Sequence, residues 1–222
     1  MTARPRQLAF ALDHAESYAR EDFLCGAGNE AALRLIESWP DWPANTVALI
    51  GPQGSGKSHL ASIWAAEAGA RTVSGRTLGR DGLPAALATG ALVVEEAAAA
   101  DQRALFHLIN LAREQDAFVL FTARTAPAVW PADIPDLASR LRALPLIKLE
   151  APDDVMLRAL IVKLAADRQL ALDENVVRYL AHHIERSFAA ARAAIIALDQ
   201  EALRQARPAT RALAAELFRD PP

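Results

Sequence analysis

Residues 51–58 read Gly-Pro-Gln-Gly-Ser-Gly-Lys-Ser, and their types and spacing suit one task, the holding of phosphate. The run fits Gly, four free positions, then Gly-Lys-Ser/Thr at every fixed place. Gly54 and Gly56 let the backbone curl around an anion without Cβ clashes. Gln53, Gly54, Ser55, Gly56, Lys57, Ser58 and His59 are the residues expected to bind nucleotide. Lys57 is placed to reach the β- and γ-phosphates, and the Ser58 hydroxyl to ligate Mg²⁺. The competing reading is an ordinary Gly-rich turn. Context argues against it: Thr46 to Ile50 reads as a short buried strand entering the loop, and His59 to Ala68 as a helix leaving it. A strand, a glycine turn and a helix N-terminus together aim backbone N–H groups and a partial positive charge at one point.

A second set of chemical groups follows. The apolar strand Ala91-Leu92-Val93-Val94 ends in Glu95 and Glu96. After a phosphate loop, such a carboxylate pair reads as one Mg²⁺-shell ligand, Glu95, and one residue that orients water, Glu96. A solvated acidic strand end is the alternative. Thr122 closes the strand Phe118–Thr122; its hydroxyl is placed either to sense a γ-phosphate or to be satisfied at the strand end. Arg140 ends the run Leu137-Ala138-Ser139-Arg140. It reads either as an exposed helix arginine or as a finger presented to a neighbour's nucleotide, a role worth about 10³–10⁵ in rate.

These groups must be carried by alternating elements. Asn29 stands where it would cap a helix through Ile36, with Ala32, Leu33 and Ile36 on one face. Residues 71–74 read as a weak strand and 83–88 as a short helix. Ala104, Leu105, Leu108, Ile109 and Ala112 recur at helical spacing, 137–144 reads as a helix, and 146–149 as a last strand. Unbroken apolar strands between helices predict an α/β fold, a parallel sheet flanked by helices. From Pro152 on, 153–167, 173–185, 187–205 and 210–218 read as helices with no strand between them. The expected organisation is a leader over 1–22, a nucleotide-binding αβ domain over 23–150 and a small all-helical domain over 151–222.

The 222 residues carry a net charge of −3, which gives no electrostatic footprint for direct sequence-specific DNA binding. One cysteine, Cys25, excludes an internal disulfide, fits a reducing compartment, and is expected to be a small buried side chain. No apolar run reaches membrane-spanning length, so a cytoplasmic location without a membrane partner is expected.

Phosphate loop, acidic strand end, strand with terminal Thr122, the run Asp136-Leu-Ala-Ser-Arg140-Leu141 and a helical lid together resemble the AAA+ P-loop NTPases of the DnaA clade, and within it the Hda-like regulators. The resemblance covers about Gln7 to Phe218. Phe23-Leu24-Cys25-Gly26-Ala27-Gly28-Asn29 is similar to the clade's N-terminal Phe-x-x-Gly-x-x-Asn box, which implies that Phe23 and Leu24 pack beside adenine. The resemblance makes Arg140 an arginine finger acting in trans. Gln7-Leu8-Ala9-Phe10-Ala11-Leu12 resembles the peptide by which such regulators enter the β sliding clamp. Gln7 would fix register there while Leu8, Phe10 and Leu12 fill an apolar groove; docking of the leader on its own domain is the alternative.

Two positions depart from the clade's pattern. Glu95 stands where Asp is usual, one methylene longer at the Mg²⁺ shell. The lid's sensor arginine falls on Ala189, with Arg192 and Arg186 as substitutes. Both departures imply a protein that holds nucleotide better than it hydrolyses it. Neither a helix-turn-helix domain after the lid nor an N-terminal oligomerisation domain is expected. The expectation is an ADP- or ATP-binding regulator that docks on the DNA polymerase III β sliding clamp and stimulates hydrolysis by the initiator DnaA. A homo-oligomer stays open. The rivals are a self-sufficient ATPase loading a helicase or transposition machinery, a P-loop kinase, and a pure clamp-binding module.

Overall fold

A computed structural model describes residues 18–218 of the chain. The clamp-peptide residues Gln7, Leu8, Phe10 and Leu12 lie outside the described residues. The described chain divides into two compact units, residues 18–151 and residues 152–218.

The first unit runs α1 (Glu30–Glu37), β1 (Thr46–Ile50), α2 (Lys57–Ala68), β2 (Arg71–Ser74), α3 (Leu83–Ala86), β3 (Ala91–Glu95), α4 (Gln102–Glu114), β4 (Phe118–Ala123), α5 (Pro135–Ala143) and β5 (Leu146–Lys148). The strands form one sheet of order β2-β3-β4-β1-β5, and every pairing is parallel. The continuous apolar runs explain why: side chains alternate between two faces, and both faces are covered. Ala48, Ile50, Leu92, Val94, Val119 and Phe121 pack on one side with Leu105 and Leu108 of α4 and Leu137 and Leu141 of α5. Val47, Leu49, Val93 and Leu120 pack on the other with Leu33 and Ile36 of α1 and Leu60 and Trp64 of α2.

The connection from β1 through α2 to β2 passes over β4 and β3 before rejoining the sheet. The carboxyl ends of β1, β4 and β3 therefore open at one sheet edge, where the strand order reverses and such folds take ligands. Register fixes this edge: Ile50 pairs with Ala123, and Val94 with Phe121.

The second unit is helical: α6 (Asp154–Asp167), α7 (Glu174–His183), α8 (Phe188–Gln205) and α9 (Arg211–Leu217). Each helix begins on a side-chain cap. Asp153, Asp173, Ser187 and Thr210 accept from the backbone N–H three residues on, at 2.7, 2.9, 3.0 and 3.3 Å. Such a cap stabilises by about 0.5–2 kcal/mol. Leu157, Ile161, Val176, Leu180, Ile195, Leu198 and Leu213 form its buried interior.

Two local expectations are corrected. Asn29 stands at the N-cap position of α1 but does not cap it. Its Oδ1 accepts from Gly26 N at 2.8 Å and its Nδ2 donates to the Leu24 carbonyl at 2.9 Å, so it braces the loop behind it. Cys25, expected to be buried, is exposed. The braced turn points Phe23 and Asn29 inward, at 5% exposure each, which leaves Cys25 facing out.

Candidate functional site

The phosphate loop is built where only glycine fits. Gly54 and Gly56 have φ of 70° and 94°, the left-handed region that L side chains rarely enter. Gly51 is required for a different reason. A Cβ there would lie 2.4 Å from the Leu149 carbonyl oxygen and 2.9 Å from Ser55 Oγ. The chain leaving β5 thus backs directly on the loop's first residue, while Gly51 N donates to the Ala123 carbonyl at 3.2 Å. Gly56 leads straight into α2, which begins at Lys57 rather than His59.

Lys57 Nζ donates to the carbonyls of Gly51 and Pro52 at 2.8 and 2.7 Å and approaches Ser55 Oγ at 3.4 Å. Burial holds its ammonium below the usual lysine range; the positive charge of Arg124 adds to this, and Glu95 opposes it. Lys57 therefore feels one charge of each sign at the sheet edge. Glu95 is the half-buried last residue of β3. Arg124 follows β4 and donates from Nη2 to Gln53 Oε1 in the loop at 2.8 Å.

Arg124 was not singled out in the sequence. The signal that would have found it is strand order: the first residue after the strand beside β1 must emerge next to the loop. Thr122 is buried, at 4% exposure, opposite Leu49 of β1. By alternation with Leu120 it lies on the α2 face of the sheet. Glu96 is turned elsewhere. Its backbone is left-handed, at φ 52°, and its carboxylate accepts from Arg76 Nε at 2.7 Å.

Beside the first turn of α2 stands an aromatic wall. Phe23 meets the His59 ring edge-on at 5.2 Å, and Tyr18 meets it edge-on at 5.4 Å. A Cβ at Gly56 would lie 3.5 Å from Phe23 Cε2. Against the Ala19 carbonyl at 3.0 Å, His59 Nε2 carries the proton and donates. Leu24 contributes its carbonyl to the Asn29 brace. Tyr18 was read as leader from the sequence; it packs on this wall.

Arg140 is not part of this group. It lies on α5 with its guanidinium over the Phe106 ring, 5.8 Å from the centroid. In the helical unit Ala189 is exposed on the first turn of α8, and Arg186 pairs with Asp154 at 2.8 Å.

The donor set fits a nucleoside polyphosphate. The glycine cradle leaves room that Cβ atoms would fill, the helix start and Lys57 supply positive charge, and Ser58 and Glu95 are oxygen ligands of the kind Mg²⁺ takes. Among the described residues no group of three or more His, Cys, Asp or Glu side chains forms a metal cage. Mg²⁺ at such sites is shared between one or two protein oxygens and phosphate.

A parallel five-stranded sheet flanked by helices, followed by a helical C-terminal part, is the fold seen in AAA+ proteins such as DnaA and RuvB. Domain III of the Thermotoga maritima replication initiation protein DnaA matches it with a TM-score of 0.76 at 20% identity, over 92% of this chain and 98% of that one. The replication initiator DnaA bound to AMPPCP and single-stranded DNA matches with 0.65 at 18% identity, over 85% and 68%. The Thermotoga maritima RuvB Holliday junction branch migration motor matches with 0.72 at 19% identity, over 90% and 70%. No family model matches the sequence, and no curated protein matches it. Among the described residues, no helix is long and apolar enough to cross a membrane.

Proposed function

We propose that this chain binds ADP or ATP with Mg²⁺ and acts as a regulator of replication initiation. The observation that carries the nucleotide reading is a loop that tolerates only glycine at its turns, folds around the Lys57 ammonium and is braced by Arg124 through Gln53. The replication reading is supported by the likeness to DnaA domain III along nearly its whole length. In this reading Lys57 and the start of α2 hold the phosphates, Ser58 and Glu95 share the metal, and Phe23, Leu24 and His59 border the base. Gln7, Leu8, Phe10 and Leu12 dock on the β sliding clamp. Arg140 is offered in trans to ATP held by the initiator DnaA, where it stabilises developing charge on the transferred phosphoryl group. Intrinsic hydrolysis is weak, because the Glu96 carboxylate is engaged by Arg76 and Glu95 is long for the metal.

The test is initiator ATPase activity with DNA-loaded clamp, measured with and without this protein. Stimulation lost in Arg140→Ala, and lost again when Gln7, Leu8 and Phe10 become Ala, is the expected outcome. Stimulation that survives Arg140→Ala sinks the trans-finger mechanism. The likeness to RuvB favours a second reading, a self-sufficient ATPase of the motor or loader kind. Brisk steady-state turnover by the isolated protein selects that reading, and near-zero turnover with tightly held ADP selects the regulator.

A further inference from the structure

The helical unit carries a concentration of charge that the phosphate site does not use. A groove of about 620 Å³ opens at the C-terminal end of α7. Four guanidiniums line it: Arg158 of α6, Arg178 of α7, Arg186 of the turn into α8 and Arg211 of α9. Asp154 is the one carboxylate of the lining, and Arg186 takes it. Arg178 reaches Glu174 at 3.6 Å. Arg158 has no ion pair among the described residues. In a chain of net charge −3, this is a local reversal of sign rather than general basicity.

A ladder of rings runs through the same groove. The Arg211 guanidinium lies over the Tyr179 ring at 5.6 Å from its centroid. His183 stacks on Tyr179 at 3.9 Å with planes 20° apart, and His182 meets His183 edge-on at 5.1 Å. His183 Nδ1 donates to the Tyr179 carbonyl at 2.8 Å, which fixes the ring, and both histidines are exposed.

We propose that this groove binds single-stranded nucleic acid, taking backbone phosphates on Arg158, Arg178 and Arg211 and an unstacked base against the His183 end of the ladder. Guanidinium forks match phosphate oxygens, and flat rings beside them are what sequence-tolerant strand binding uses. The volume is that of a cleft for a nucleotide or two, and a duplex keeps its bases in the stack, where the ladder has none to receive. An acidic peptide would engage the guanidiniums but give the ladder nothing to do. This inference is independent of the function proposed for the phosphate loop.

The test is fluorescence anisotropy of the full chain with labelled oligodeoxyadenylate of about ten residues, in the presence of excess ADP and Mg²⁺ to occupy the phosphate loop. Three phosphate contacts predict a log–log salt slope of about −2. Arg158→Ala with Arg211→Ala should weaken binding about tenfold or more and flatten the slope, while binding of fluorescent ADP and the circular dichroism spectrum stay unchanged. His183→Ala should weaken the oligonucleotide by about fivefold to a hundredfold yet leave inorganic polyphosphate binding unaltered. The proposal is overturned if polyglutamate binds as tightly as the oligonucleotide, if AMP competes on equal terms, or if the double arginine variant binds the strand like the parent.

Discussion

Arg124 Nη2 donates to Gln53 Oε1 at 2.8 Å, joining residues 71 apart in sequence across the mouth of the phosphate loop. The contact holds a second cation beside Lys57, whose ammonium burial first and Arg124 second keep below the usual lysine range.

Replacing Arg124 by Ala should therefore raise the Lys57 pKa toward its ordinary value. The sign follows from linkage. A lysine whose pKa is lower folded than unfolded makes stability rise with pH between those two values, because there the unfolded chain holds the proton. Removing Arg124 narrows that window. Comparison of urea midpoints across the alkaline range, with direct titration of the Lys57 ammonium by NMR, checks it; a Lys57 pKa that stays or falls refutes the coupling.

Lys57→Met should separate binding from folding. Desolvation is the largest influence on this ammonium, so its removal relieves a charge the folded chain disfavours. Nucleotide affinity is expected to drop at least tenfold, roughly one charge-assisted hydrogen bond of 1.5–3 kcal/mol. The melting temperature is expected to hold or rise. Calorimetric titration and thermal scans on one preparation report both.

Asn29 offers a graded test. Asn29→Ala leaves the buried-side Gly26 N–H and Leu24 carbonyl unsatisfied and should cost about 1–3 kcal/mol. Asn29→Asp keeps the acceptor for Gly26 but sets a carboxylate oxygen against the Leu24 carbonyl at a site only 5% exposed, so its denaturation midpoint should fall at or below that of Asn29→Ala.

Glycines 51 and 79 form a matched pair. Ala at 51 meets the Leu149 carbonyl backbone, whereas Ala at 79 meets nothing within 4 Å. Overpacking costs about 1–3 kcal/mol, so Gly51→Ala should lower both stability and nucleotide affinity. Gly79→Ala should change neither.

Arg140→Ala should leave this chain's own nucleotide affinity unchanged and its stability within about 1 kcal/mol, the worth of a half-exposed guanidinium over a ring such as Phe106. A large loss of either would place Arg140 in this chain's own machinery.

Much of this fold was legible because the signals are local. Strands such as Phe118–Ala123 are continuous apolar runs, and the five periodic residues of α4 are the ones it buries. The phosphate loop was legible because glycine, lysine and serine at fixed spacing carry their own geometry. What sequence left dark depends on neighbours distant along the chain. Arg124 matters only because β4 lies beside β1, Glu96 is aimed at Arg76 by a left-handed backbone, and Tyr18 finds its place through His59. Cys25 misled for a related reason: composition favours burial, but the Asn29 brace decides which side chains of its turn face inward.

Lys57 carries three N–H donors, and the loop itself supplies three oxygens to them. A phosphate taken up at this lysine, as proposed, would bind by substitution: every contact a ligand gains displaces one the protein already had. The heat released per contact should be smaller than a count of new hydrogen bonds suggests. Discrimination between ligands then rests on how many loop oxygens each can replace at once, a quantity that grows with the number of phosphates in line.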